Sequence, residues 1–284
     1  MRYSRTGIIA VLIAAEVFIA SVIVVSAGGL KTFSDVGNAG DFNYTPYSLP
    51  AVDAGSQPHV VIDDTDSRVV VTPSTDGKVH VTDATRIAGW GWGSRPQHVQ
   101  IRKTADGVAI ERPATPGRVI IFGFESSHTE VAVPAGATLE ITHSEGADLS
   151  DLTGTISVRS DDGHITVTNV RTGDLTLSTA DGRITLDNVD ADKLSVATSD
   201  GSIHASSLRV RNGTAHTADG SITLAFADGA NLTVHARTLD GSIRINGMRQ
   251  SDSPLDYTLG NGSGSLDLLT QEGSIRVTSN GANE

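Results

Sequence analysis

The chain has 284 residues, no Cys, and 33 Asp and Glu against 21 Lys and Arg, for a net charge of −12. That charge argues against nucleic acid as a partner and against attraction to anionic lipid, and the lack of Cys removes disulfides, thiolate metal sites and Cys nucleophiles together. Aromatics make up only 4% while Gly numbers 30, which suits narrow stacked strands filled by Val, Ile, Leu and Ala better than a thick globular core.

Residues 1–29 differ from the rest. Arg2 and Arg5 precede an apolar run from Gly7 to Val25, followed by Ser26-Ala27-Gly28-Gly29. The run is long enough to cross a bilayer as a helix, and the flanking arginines predict a cytoplasmic N-terminus with the remainder exported. Glu16 lies mid-run, where a carboxylate must be neutralised, paired or met by a partner helix. Val25-Ser26-Ala27 resembles a signal-peptidase site. The length of the run favours an uncleaved signal-anchor over a cleaved signal peptide, and either reading sends residues 30–284 across the membrane. The expected location is therefore the cell membrane, single-pass, with a secreted or periplasmic protein as the outcome of cleavage.

Residues 30–57 are polar, with Gly37, Gly40, Pro46, Pro50 and Gly55, and read as a flexible linker. Strands are then predicted at 59–63, 68–72, 78–83, 98–103, 108–111, 118–122, 130–133 and 138–143, with turns at Asp76-Gly77 and Asp106-Gly107. Their spacing is irregular, so residues 58–145 form a less regular β section that caps the regular repeats C-terminal to it.

Residues 146–279 hold the dominant pattern. Gly163, Gly182, Gly201 and Gly220 are 19 apart and Gly241 comes after 21, each preceded by Asp: Asp162, Asp181, Asp200, Asp219 and Asp240. Two residues after each Gly stands Ile165, Ile184, Ile203, Ile222 or Ile243, and two before each Asp stands Ser160, Thr179, Thr198, Thr217 or Thr238. The spacing of two is a strand signal, so each unit holds two short strands about an Asp-Gly turn. In that turn Gly can accept positive φ and Asp can bond the backbone two residues on. A second turn is expected at Arg171–Gly173, Asp190–Asp192, Arg209–Gly213 and Ala227–Asn231. Gly264 and Gly273 lie only 9 apart, which predicts a short closing hairpin, and 280–284 read as a disordered tail.

The fold class is all-β. Identity at several columns favours a β-solenoid-like stack of two-strand coils with a period of about 19 residues, in which equivalent side chains form ladders ~4.8 Å apart. The alternative is an antiparallel β meander or sandwich, which needs only alternation.

Each candidate for chemistry has a plain structural counterpart. The Asp column could hold Ca²⁺, but each turn offers mostly one carboxylate, which favours Asx-type turn residues in solvent. The hydroxyl column, if inward, would form a hydrogen-bonded ladder; if outward, a flat array matching a repeating polymer. His59, His80, His98, His128, His143, His164, His204, His216 and His235 show no zinc spacing and default to solvent-facing positions. Trp90 and Trp92, the chain's two tryptophans, stand in Gly89-Trp90-Gly91-Trp92-Gly93, and read as a loop that could grip a sugar, a headgroup or a partner, or pack over the open end of the stack. No catalytic set, metal site, cofactor motif or phosphate loop stands out.

The segment VAVPAGATLEI at Val131–Ile141 and the repeated Thr-x-Asp-Gly-x-Ile of residues 160–245 resemble the bacterial "putative adhesin" β-strand-repeat family of envelope proteins, over about residues 58–279. The resemblance implies a β-solenoid-like fold behind an N-terminal anchor or export signal, with no established catalytic residues. The expected function is that of a non-enzymatic, membrane-tethered envelope protein presenting an adhesion, binding or spacer surface to an envelope protein or glycan. The alternatives are an accessory or sensory module of envelope stress signalling and, third, a polysaccharide-active β-helix enzyme.

Overall fold

The computed structural model describes residues 31–34, 46–65, 67–92, 97–114, 119–250 and 254–279, with the backbone alone described at 31–34, 86–92, 119–125 and 250. Two compact units emerge, one of residues 1–45, 85–98 and 113–126, the other of 46–84, 99–112 and 127–284. The expected membrane helix over 1–29 lies outside the described residues.

Every regular element among the described residues is a strand. It opens with β1 (Lys31–Ser34), β2 (Tyr47–Ser48), β3 (His59–Asp63), β4 (Ser67–Pro73), β5 (His80–Trp92), β6 (Gln100–Lys103), β7 (Gly107–Glu111) and β8 (Val119–Val133). The middle holds β9 (Thr138–Ser144), β10 (Ala147–Ser150), β11 (Ile156–Ser160), β12 (Ile165–Thr168), β13 (Arg171–Thr179), β14 (Ile184–Asp187), β15 (Asp190–Thr198) and β16 (Ile203–Thr217). The last are β17 (Ile222–Phe226), β18 (Leu232–Asp240), β19 (Ile243–Ile245), β20 (Met248–Gln250), β21 (Leu255–Leu259), β22 (Gly264–Glu272) and β23 (Ile275–Ser279). In the smaller unit β1 runs antiparallel to the distal part of β5, from Lys31↔Gly91 to Ser34↔Ala88. Residues 31–34 and 47–48, which composition reads as linker, are thus paired strand.

The larger unit is a β-solenoid with two parallel faces. On face A, β10, β12, β14, the start of β16, and β17 stack in register. On face B, β9, β11, β13, β15 and the end of β16 do the same. Parallel neighbours one repeat apart rule out the meander, whose neighbours would run antiparallel. The core is a set of ladders: Ile165, Ile184, Ile203 and Ile222 lie one above another on face A, opposite Val158, Leu177, Val196 and Ala215 on face B, all buried.

Neither end of the stack keeps chain order. β3 inserts between β7 and β9, and β4 between β8 and β10, so the first coil in sequence is second in space. At the other end β22 inserts between β16 and β18, and β23 between β17 and β19. The last strands are therefore a full coil slotted inside the stack, not the short closing hairpin that the nine-residue glycine spacing suggested. Gly273 sits between Gly220 and Gly241 in the turn column, and Ile275 between Ile222 and Ile243 in the core. Antiparallel strands finish the stack: β6 on β7, β20 on β19 and β21 on β18.

The repeat glycines have a different cause from the expected one. None of Gly163, Gly182, Gly201, Gly220 and Gly241 has positive φ. At Gly182, Gly201 and Gly220 a Cβ would overlap the carbonyl oxygen of the glycine one coil earlier. Close stacking of turn on turn, not backbone conformation, demands glycine. The turn bond is not made by Asp either: Gly201 N donates to Thr198 Oγ1 and Gly163 N to Ser160 Oγ, both at 3.2 Å. The left-handed residues stand at the opposite turn, at Asn169, Asn188 and Ser207, with φ of 55°, 52° and 52°. Asn tolerates that region, and Asn188 Nδ2 donates to Asn169 Oδ1 at 2.9 Å to form a ladder. This is the second turn; at Arg171–Gly173 and Asp190–Asp192 the chain stays in β13 and β15 and only bends.

The stacking predicts a cross-link. Ser202 and Ser221 precede the paired Ile203 and Ile222, and Ser221 N lies 3.4 Å from Ser202 Oγ. Cysteines at both positions in this Cys-free chain should oxidise within one molecule, giving a faster-migrating band on non-reducing gels. Failure to form it in folded protein would contradict the stacking, since a disulfide needs Cα atoms within ~7 Å.

Candidate functional site

The hydroxyl column faces inward. Ser160, Thr179, Thr198, Thr217 and Thr238 are all buried. They do not bond one another, as a simple ladder would. Instead Thr179 Oγ1 donates to Gly163 O at 3.0 Å, Thr198 to Gly182 O at 3.1 Å and Thr217 to Gly201 O at 2.8 Å. Each hydroxyl thus ties its coil to the turn backbone of the one before, and Thr270 continues the series onto Gly220 O. These hydroxyls are spent and cannot present a surface.

The Asp column faces solvent. Asp162, Asp181, Asp200, Asp219 and Asp240 are exposed, and Glu145 and Glu272 extend the edge at Gly146 and Gly273. Among the described residues no group of three His, Asp or Glu is arranged to hold a metal ion. Neighbouring carboxylates ~4.8 Å apart repel by about 1 kcal/mol in water, and salt screens them. The melting temperature should therefore rise from low salt to ~1 M NaCl, and less so in Asp200→Asn. A flat salt response in thermal scans would show the edge to be energetically silent. The opposite corner alternates in sign: Arg171 pairs with Asp190 at 3.3 Å, Arg209 is next in register, and Arg211 pairs with Asp192 at 3.3 Å.

Face B carries a groove of about 400 Å³ across β13, β15, β16 and β22. It lies where β13, β15 and β16 bend, so that two consecutive residues, such as Gly173 and Asp174, face outward between buried Thr172 and Leu175. One wall is the register row Asp174, Lys193, Asn212 and Ser265; the other is Thr176, Ser195, Thr214 and Asp267. Leu175, Leu194 and Gly213 make the floor. Lys193 Nζ stands 3.6 Å from Asp174, and Asn212 Oδ1 accepts from Ser265 N at 3.2 Å. Nothing in the one-dimensional pattern flags this groove, because its walls are set by register between coils.

A buried ion cluster also escaped sequence reading. Arg112, at the end of β7's coil segment, reaches Asp64 Oδ1 with Nε at 2.6 Å and Asp83 Oδ1 with an Nη at 2.7 Å. Both carboxylates are fully buried, and Thr129 Oγ1 donates to Asp64 at 2.7 Å. Burial alone would lower the Arg112 pKa, but Asp64 and Asp83 outweigh it and raise it. The cluster joins segments 48 and 29 residues apart in sequence, which no local motif records.

The tryptophans stand on strand β5, where Trp90 pairs with Thr32, rather than on a loop; their side chains lie outside the described residues. Among the described residues, His59 pairs with Glu140, His80 with Asp76, His128 with Glu130, His143 with Asp63 and His235 with Asp256, at 2.8–3.3 Å. The hydrogen bond from His80 and one from the Lys78 amide hold exposed Asp76 down to about 2. His164 is exposed, and its Nδ1 accepts from Arg183 N at 3.0 Å.

Comparison with solved structures finds low-identity likenesses. A putative adhesin from Parabacteroides merdae aligns at 10% identity and TM-score 0.41 over 84% of this chain and 97% of its own. A putative adhesin from Bacteroides fragilis aligns at 12% and 0.38 over 83% and 97%, and a putative cell adhesion protein from Clostridium sporogenes at 9% and 0.36 over 83% and 100%. Comparison with curated proteins finds no match. The family model described as Toastrack DUF4097 matches residues 58–283, which takes in every coil of the solenoid, and on that match the chain belongs to the Toastrack DUF4097 family.

Proposed function

We propose that this is a non-enzymatic, membrane-tethered envelope protein whose solenoid serves as an extracytoplasmic binding surface. The observation that carries the reading is face B, where outward polar residues repeat in the same register from coil to coil and form a shallow groove. Such a surface suits a ligand that is itself extended and repetitive. The placement of the titratable groups supports a non-catalytic role: Asp64, Asp83 and Arg112 are buried against one another, and the repeat aspartates stand apart along an open edge. The tether rests on the sequence of residues 1–29, with its apolar run behind Arg2 and Arg5. Among the described residues no helix is long and apolar enough to cross a membrane.

Two measurements test the reading. The protein should stay with the membrane through a high-salt wash and keep Met1; a soluble form beginning at Gly28 would overturn the tether. Full-length protein in liposomes should co-sediment with isolated envelope material, and liposomes without it should not. Equal sedimentation of both would overturn the binding role.

A further inference from the structure

We propose that the groove on face B is a site for a neutral, extended oligosaccharide lying across the strands, along the stacking axis. This rests on the reading of face B as a binding surface and names its ligand class. The walls decide the chemistry. Thr176, Ser195 and Thr214 are exposed, in register, and their hydroxyls make no bond to another described residue. They differ in this from the inward threonines, each of which is bonded to a turn carbonyl. A free hydroxyl row, one group per coil at ~4.8 Å, can both donate and accept, as the hydroxyls of a sugar chain require.

Other ligand classes fit worse. Lys193 is the one cation among the groove's lining residues, against Asp174 and Asp267, so a polyanion would meet net repulsion. The strands beneath are paired on both sides, which leaves no edge for an added peptide strand. The floor between the two polar walls is strand backbone at Leu175, Leu194 and Gly213; both leucine side chains are buried in the core, so the groove offers no apolar strip to an acyl chain or an amphipathic helix. The volume of about 400 Å³ lies within the range of small-molecule sites. Asp267, with no ion-pair partner among the described residues, stands where a carboxylate can accept two adjacent hydroxyls.

Saturation-transfer NMR on the full-length protein with cellohexaose and maltohexaose tests the assignment. At least one sugar should show transfer. Ser195→Arg, which places a long side chain mid-groove from an exposed position, should abolish it, and Thr185→Arg, outward on face A, should leave it unchanged. Thr214→Val, which keeps shape and removes one hydroxyl, should weaken binding at least about threefold, the size expected for one lost hydrogen bond. Its melting temperature checks that the fold is intact. No transfer from either sugar, or transfer undiminished in both groove variants, overturns the groove. If Ser195→Arg protein still co-sediments with envelope material while wild type binds neither sugar, the groove assignment fails and the wider surface reading stands.

Discussion

Arg112→Met should destabilise the protein by about 3–5 kcal/mol, because it takes from two fully buried carboxylates, Asp64 and Asp83, the guanidinium they share. The guanidinium now satisfies both carboxylates at once, and Thr129 covers a remaining lone pair of Asp64. Chemical denaturation of both proteins measures the difference. Adding Asp64→Asn and Asp83→Asn to the variant should recover part of the loss, since an uncharged cluster no longer carries the desolvation penalty of two anions. The contrast is Arg102→Met. Arg102 pairs with Glu111 at 2.7 Å, but both are exposed, and such pairs contribute about 0–1 kcal/mol. If the two methionine variants lose equal stability, the cluster is not acting as a buried ion set.

Gly201→Ala is expected to cost about 3 kcal/mol, a large penalty for one methyl group. The Cβ would overlap Gly182 O and crowd Thr198 Oγ1, and neither can move without disturbing the neighbouring coil. Glycine removal at Gly173 should do the opposite. That residue has open space around the Cβ position and no positive φ, so Gly173→Ala should be neutral or stabilising by up to about 1 kcal/mol through the unfolded chain. Melting curves of the pair separate a packing role from a conformational one. Equal effects would return the repeat glycines to ordinary turn residues.

The interlocked ends bear on both results. In a simple solenoid each coil rests on the next in sequence, and damage at one end spreads only to neighbours. Here the first and last coils are each held between two others, so the chain cannot lose its final coil by fraying from the tip. Face B at Gly213 rests directly on Leu266 of that final coil, and the groove therefore includes residues 53 positions apart: Asn212 and Ser265.

The repeat is legible in residue order alone. A 19-residue period and two-residue alternation are local properties, and they specify strands, an inward Ile ladder and an outward Asp edge before any contact is known. The same pattern picks out the right residues for the wrong reason at Gly182, Gly201 and Gly220, since a glycine kept for positive φ and one kept for close approach look the same in one dimension. Which coil lies beside which is settled only in three dimensions. The 9-residue step from Gly264 to Gly273 is equally compatible with a hairpin and with an inserted coil, because strand pairing is chosen by the free energy of the whole stack and not by spacing. The groove walls, the Arg112 cluster and the insertion of β22 and β23 all depend on that choice. Each is made of side chains that the chain brings together only after the coils have closed on one another.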